Sequence, residues 1–458
     1  MDTVTIIPIT GSEIIIYFIH IFIYNSTIML HTIRNIIQNH SHLLLLYFLY
    51  AVGILYILAL ICFKIHSPFW FHQPVYHSYE LYPRIRFSKQ PYVKNKRPPR
   101  QGIFCDTKHI ITSSVSDITP ECWAKIVHLL QGHYMDGNYV LNHISVPMIQ
   151  KRLYGESYVS CFWEDRLVEM PKGKWIEQLD VENLYGFLGS CPKVLHFSKF
   201  PKEQWNILQW NWMCIHEKYK SQKLIQKMIQ THVLQHRLKD PGFSGVHLFS
   251  KNSELCKGIV PLVKYSIYTF ILRDTTIHKL PRNYSIRCLN RNHLDLWRAI
   301  YVQMMAQYEV AALPDIAYTL DWLTNERYHI YVTVYRIENV EHVHGVYVFE
   351  DTCMSWEDAS LTKPYMVRLA ASMNFGKVHM HDPRQILYFR GFVNCLQEFL
   401  LDKKDFGILE IPCISDNDIL LAKWQEKYEM RNVTESAYYL YNMVYPRSPI
   451  PSSEVIVL

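Results

Sequence analysis

The chain has no Cys-x-x-Cys pair, no internal repeat at a fixed period and no strong charge of either sign. Its eleven cysteines are odd in number and scattered. That pattern argues against a disulfide frame or a zinc site and suits reduced thiols in a cytosolic compartment. The Asn432-Val433-Thr434 sequon is then expected to go unused. A net charge of +6 over 458 residues gives bulk electrostatics no reason to expect nucleic acid. What the chain does have is apolar mass: 49% apolar residues, 14% aromatic, 32 of them tyrosine. That is enough for large cores in about two or three domains.

Residues 43–63 are uncharged and mostly apolar, about the length that crosses a bilayer's ~30 Å hydrocarbon core. The run begins too deep for a typical signal peptide, and no small-residue cleavage pattern follows it. A weaker run, Ile14–Ile23, carries His20 and need not span. A basic cluster follows the long run: Arg84, Arg86, Lys89, Lys94, Lys96, Arg97 and Arg100. It reads as cytoplasmic by the positive-inside rule and could rest on anionic headgroups. The expectation is a single-pass tether holding a cytosolic body. A buried core helix is the alternative.

Beyond residue 107 the pattern is that of mixed α/β structure. Helices are expected over Asp117–Leu130, Pro147–Leu153, Arg291–Tyr308, Gln385–Leu401 and Asp416–Tyr428. Strands are expected at Tyr158–Trp163, Leu184–Leu188, Tyr265–Arg273, Tyr328–Arg336, His344–Phe349, Gly407–Ile411 and Ser436–Met443. The alternation runs twice, giving two halves joined near 275–290. Residues 207–215 read as a buried strand, followed by a turn with Lys218, Lys220 and Lys223. A helix begins at Leu224, its apolar stripe made by Leu224, Ile225, Met228, Ile229, Val233 and Leu238. A strand feeding a basic turn at a helix start suits a polyphosphate, because first-turn N–H groups are unpaired and carry partial positive charge. An ordinary buried βα unit with a solvated basic corner has the same sequence.

Five separated stretches resemble eukaryotic N-myristoyltransferase, in that family's order, over residues 67–458. Phe69-Trp70-Phe71-His72-Gln73-Pro74-Val75 is similar to F-W-x-T-Q-P-V, with His72 for Thr. Leu184-Tyr185-Gly186-Phe187 with Pro192 is similar to L-V-G-F-I-x-x-x-P. Asn211-Trp212-Met213-Cys214-Ile215-His216 resembles N-F-L-C-V-H, and Lys220–Ile225 lies over R-S-K-R-[LV]-A. Tyr438-Tyr439-Leu440-Tyr441-Asn442 is identical to Y-Y-L-Y-N. The resemblance implies two acetyltransferase-like α/β halves about a pseudo-twofold, 67–275 holding acyl-CoA and 276–458 completing a peptide groove. Residues 1–66 form a separate hydrophobic region. It also implies myristoyl-CoA as co-substrate with no permanent cofactor, N-terminal-glycine peptides as acceptors, and a monomer.

Transfer from a thioester to an amine needs a seat for the CoA phosphates, donors for the developing oxyanion and a proton acceptor. The resemblance assigns the first to Cys214, Ile215, Ser221, Lys223, Leu224 and Ile225, with Pro68, Phe69 and Trp70 adding main-chain contacts. Gln222 and Ile225 replace a family Lys and Ala there. The oxyanion falls to the main-chain N–H groups of Trp212 and Met213, where losing one donor costs on the order of 3–4 kcal/mol. For the proton, the family uses its last carboxylate, here that of Leu458. A free α-carboxyl near 3.5 is a weak base for an amine near 7.8, although roughly a tenth of that amine is neutral at pH 7. Burial would raise the carboxyl's basicity. Asn211 and Ser250 fall where the family orients the amine, and Tyr134, Asp136 and Tyr439 where it meets peptide.

Peptide reading is where the chain departs. The family's acidic run is cut to Asp136, its glycine loop has become Glu429–Glu435, and its R-Y-W-H lies over Lys264-Tyr265-Ser266-Ile267 without the His. Glu350, Asp351, Glu357 and Asp358 are either compensating acids or a solvated surface. His342/His344 and His379/His381 with Asp382 have strand-ligand spacing but no third fixed ligand type, so no metal is expected. The rival readings are a non-catalytic scaffold for acyl-CoA or a lipidated partner, and a transferase with another acceptor.

Overall fold

In the computed structural model the long apolar run is a helix, α1 (Leu45–His66), of 22 residues and mean hydropathy 2.5, with none of its apolar window buried. At ~1.5 Å per residue it is about 33 Å long, enough to cross a bilayer core. Leu49, Tyr50, Leu55 and Ile61 all stand exposed, so α1 is not a core helix among the described residues. The structure describes residues 42–43, 45–98, 101–136, 139–141, 143–170, 174–220, 222–272, 278–324, 327–338, 340–356, 363–376 and 383–458. The chain divides into two compact units, Met1–Phe71 and His72–Leu458. The short helix α2 (Pro68–His72) carries Phe69 edge-on to Trp70 at 4.9 Å.

In the second unit, helices α3 (Pro120–His133) and α4 (Val146–Arg152) each carry a proline, Pro120 and Pro147, in the first turn, where its missing N–H is harmless. Thr119 caps α3, its hydroxyl accepting from the Cys122 N–H at 3.3 Å. Strands β1 (Tyr158–Met170), β2 (Lys174–Phe197) and β3 (Gln204–Ile215) form an antiparallel meander. Helix α5 (Gln222–Lys239) returns the chain to β4 (His247–Asn252), parallel to β3. Then come β5 (Val263–Ile271), β6 (Tyr284–Cys288), α6 (Leu294–Gln307) and β7 (Val310–Leu313). The later elements are β8 (Tyr328–Ile337), β9 (Val340–Trp356), β10 (Tyr365–Asn374), α7 (Pro383–Asp402), β11 (Phe406–Pro412), α8 (Asn417–Gln425), β12 (Met430–Tyr441) and β13 (Val455–Val457).

One sheet runs through the unit, in the order β6-β8-β9-β10-β11-β5-β12-β4-β3-β2-β7-β13. It contains the same arrangement twice: β3–α5–β4 and β10–α7–β11 each join a parallel pair through a helix. The pairs face each other across β12 and β5. This is the mixed α/β architecture expected, with two related halves in one sheet. Beneath β1–β3, α3 packs Trp123, Ile126 and Leu130 against Val159, Phe187 and Cys214. Beneath β9–β11, α7 packs Phe392, Leu396 and Phe399 against Phe349, Leu369 and Leu409.

Two of the sequence stretches close on each other. Tyr441 Oη donates to Gln73 Oε1 at 2.7 Å, and the Asn442 N–H donates to the Pro74 carbonyl at 2.8 Å. Several expectations are corrected. Residues 430–435 are strand rather than a degenerate loop, because Val433 and Thr434 pair with Tyr268 and Ile267 of β5. Residues 284–288 are the edge strand β6, not a connector, with Tyr284 stacked on Tyr335 at 5.4 Å. Leu238 is exposed, and the buried face of α5 instead takes in Thr231, His232 and His236. All eleven cysteines are free thiols.

Candidate active site

Strand β3 is irregular where the sequence puts Asn211 and Trp212. Against β2 its register steps from Trp210↔Ser190 to Met213↔Leu188, so two residues oppose the single Gly189. Such a bulge frees main-chain groups from the ladder. On the other edge, β3 pairs with β4 only at Leu208↔His247 and Gln209↔Leu248, after which β4 continues beside β12. Regular pairing therefore fails on both sides at 211–212.

A cavity of about 150 Å³ opens there. Tyr134, Asn211, Trp212, Ser250 and Leu458, from four stretches of sequence, all line it. Leu458 is buried, held by its N–H to the Ala312 carbonyl at 3.0 Å behind β13, which runs parallel to β7. Asn211 Nδ2 donates to Cys191 Sγ. Met213 is the next residue past the bulge and is not among the lining residues. Tyr439 does not line the cavity either: it stacks on Phe249 at 5.2 Å, and its hydroxyl accepts from the Cys256 N–H at 3.0 Å. Strand alternation turns its neighbour Tyr438 to the cavity instead, together with Tyr265 and Ile267.

The residues expected around CoA follow one strand–turn–helix connection. Cys214 and Ile215 end β3, a short 3-10 turn spans Glu217–Tyr219, and Lys223, Leu224 and Ile225 lie in the first turn of α5. Lys223 is exposed, Leu224 buried and Ile225 half-buried. Burial pushes the Cys214 thiol up to about 12, so it is a packed thiol rather than a nucleophile. Pro68, Phe69 and Trp70 sit on α2 in the first unit. Ser221, the Asp136 side chain, Glu357, Asp358, His379, His381 and Asp382 lie outside the described residues. His342 is exposed over Tyr335, while His344 is buried beside Tyr284.

The charged lining was not foreseen. Arg327 Nε donates to Glu350 Oε1 at 2.9 Å, and Arg368 Nη1 lies 3.6 Å from Glu350 Oε2. Arg368 Nε also bonds Glu410 Oε2 at 2.5 Å. Burial alone would raise the Glu350 carboxyl, but Arg327, Arg368 and Arg152 outweigh it and hold it down to about 2. Glu350 is therefore a buried ion-paired acid, not a solvated one and not a free partner for a peptide cation. Arg152 lies 5.2 Å from the Trp212 ring and donates to the carbonyls of Asp351 and Thr352 and to Cys353 Sγ. Lys193 reaches in from β2, and its Nζ donates to the main-chain oxygen of Leu458. The usable signal was Lys193 itself, a lone lysine in the apolar run Leu184–Phe197.

No family model matches the chain, and no curated protein matches it in sequence. Solved structures do. A crystal structure of Saccharomyces cerevisiae N-myristoyltransferase with bound myristoyl-CoA is 13% identical, with a TM-score of 0.61 over 86% of this chain and 99% of that one. A second, also with myristoyl-CoA, has a TM-score of 0.60 at 13% identity over 85% and 93%. A third, with myristoyl-CoA and inhibitors, has a TM-score of 0.59 at 13% identity over 84% and 91%. At that identity the likeness is one of architecture: the chain has the N-myristoyltransferase fold.

Proposed function

We propose that the chain transfers myristate from myristoyl-CoA to the N-terminal glycine amine of a peptide or protein. The observation that carries this reading is the convergence of Asn211, Trp212, Ser250 and Leu458 on one cavity, beside a strand whose pairing is broken. In this reading the amides of Trp212 and Met213 stabilise the thioester oxyanion, and Asn211 and Ser250 orient the amine. The first turn of α5, with Lys223, takes the CoA phosphates. The Leu458 carboxylate faces the acceptor's ammonium, and Tyr134 borders the peptide path. The halves divide at about residue 275, the enzyme works as a monomer, and α1 tethers it in a membrane with the body in the cytosol.

The test is transfer of an alkyne-tagged myristoyl group to Gly-initiated peptides by the full chain. Labelled peptide is the expected product, and residues appended after Leu458 should abolish it by displacing that oxygen from the cavity. Tight acyl-CoA binding without turnover would instead support a scaffold. That second reading is favoured by one observation: Glu350 is committed to Arg327 and Arg368 rather than available to a peptide.

A further inference from the structure

We propose that residues 81–89 form a loop that rests on anionic lipid. Ile85 and Phe87 enter the headgroup layer, while Arg84, Arg86 and Lys89 meet its phosphates and carboxylates. The loop belongs to the second unit and carries this chemistry apart from α1. Leu81, Tyr82, Ile85 and Phe87 fall within seven residues and all stand exposed, Ile85 by 70% and Phe87 fully. Single exposed apolar side chains are ordinary on a protein surface, but a cluster of large ones marks a contact.

Cations stand between them. From Leu81 to Cys105 the chain has seven Lys and Arg and no Asp or Glu. Arg86 lies 5.1 Å from the Tyr92 ring, and Lys89 Nζ donates to the Arg84 carbonyl. Among the described residues, Arg84, Arg86 and Lys89 have no carboxylate partner. The base of the loop, by contrast, is locked. Lys94 Nζ pairs with Glu80 and donates to the Val75 carbonyl at 2.8 Å, and His77 Nδ1 lies 3.0 Å from the same Glu80 oxygen. Tyr92 and Val93 pair with Val444 and Met443, and the Asn95 N–H donates to Asn442 Oδ1 at 2.8 Å. Pro83 and Pro91 are buried beneath. A loop with its ends tied holds its tip at the surface without help from the tip's own side chains. The sequence offered only the basic cluster; the structure adds the apolar side chains beside it and the fixed base.

The mixture selects the partner. A nucleic acid or another soluble polyanion would use the cations and leave Ile85 and Phe87 in water. The boundary layer of an anionic bilayer takes both kinds of side chain. Arg and Lys stems lie along apolar surface there while their charged heads stay among the phosphates. Each cation beside an anionic leaflet is worth about fivefold in partitioning, so Arg84, Arg86 and Lys89 together give roughly 100-fold.

The test is trypsin cleavage of the full chain in vesicles, read by mass spectrometry at the bonds after Arg84, Arg86 and Lys89. Vesicles of phosphatidylcholine alone are compared with vesicles rich in phosphatidylserine. Trypsin reaches only chains whose body faces outward, and cleavage after the exposed Lys404 gives their reference rate. Because α1 is the same in both, the difference reads the loop. With phosphatidylserine the three bonds should be cut at least about tenfold more slowly, with Lys404 unchanged. High salt should restore cleavage. The double variant Ile85→Ser with Phe87→Ser should lose most of the protection, and it keeps the fold because both side chains are exposed. Equal rates in the two kinds of vesicle overturn the proposal. So does protection by heparin that matches phosphatidylserine and survives the double variant, which would mark a site for a soluble polyanion. Acyl transfer is not part of the readout, so either result leaves the acyl-transfer reading standing.

Discussion

Glu350 shows how single residues in this protein escape a reading of the sequence. It lies in a row that crosses the sheet: Tyr328↔Glu350 between β8 and β9, Glu350↔Arg368 between β9 and β10, and Arg368↔Glu410 between β10 and β11. Opposite charges directly across a ladder attract, but here they are also buried, so each depends on the others. Glu350→Ala leaves two buried guanidiniums short of a carboxylate and should cost about 3–5 kcal/mol in urea unfolding. Glu350→Gln, which keeps acceptor capacity, should cost less. A loss below about 1 kcal/mol for the alanine variant would mean that water reaches this row. The partners lie in different strands, so only register brings them together. The same holds for Asn442, which closed a motif match but whose side chain, at a φ of +62°, also holds the main chain of Asn95 and Ser244. Composition and spacing contain nothing about either arrangement.

Elements were far more legible, because an apolar period is local. The helices over 120–133, 294–307 and 383–402 and the strands around 328 and 406 appeared where the pattern put them, with ends moved by a few residues, while the strands expected at Tyr158–Trp163 and Leu184–Leu188 extend to Tyr158–Met170 and Lys174–Phe197. Misreadings came where a neighbour decided the matter, as when β5 drew residues 430–435 into a strand. In α5 the surprise is polar: its buried face carries His232 between Ser160 Oγ at 2.8 Å and Ser190 Oγ at 3.0 Å. Burial lowers His232 to about 3 and His236 to about 4, and takes His247 on β4 well below its usual value. Each folded value lies below the unfolded value near 6.5. The stability that goes with neutral imidazole is thus whole above pH 6.5 and drains as pH falls toward the folded values. Three such groups give a slope of on the order of 4 kcal/mol per pH unit in the steepest region. Melting temperature should fall steadily from pH 6.5 to 5, before most carboxylates titrate, and His232→Gln should remove about a third of the slope. A melting temperature flat from pH 7.5 to 5 would show that these rings accept protons in place.

For the molecule as a whole, the informative contrast lies between its two units. The second is stabilised by burial throughout its sheet and ends with Val455, Ile456, Val457 and Leu458 all buried. The first presents α1, whose apolar side chains stand exposed among the described residues. A helix apolar on every face is stable in water only when something covers it, and at 22 residues its length matches a bilayer better than a groove. Under the proposed acyl-transfer function, a bilayer would also resolve a difficulty that an acylated product creates. A single fourteen-carbon chain binds membranes weakly and reversibly, so an enzyme already at the surface releases its product where it can remain. The full chain expressed in cells should therefore stay in the membrane pellet through alkaline carbonate washing. Replacing Leu49 and Leu55 by lysine adds about 5–7 kcal/mol to the insertion cost and should move it to the supernatant. Acyl transfer by the supernatant form should persist, because the cavity is built wholly from residues of the second unit. If the parent chain leaves the pellet on washing while the lysine variant behaves identically, α1 is covered by protein rather than lipid.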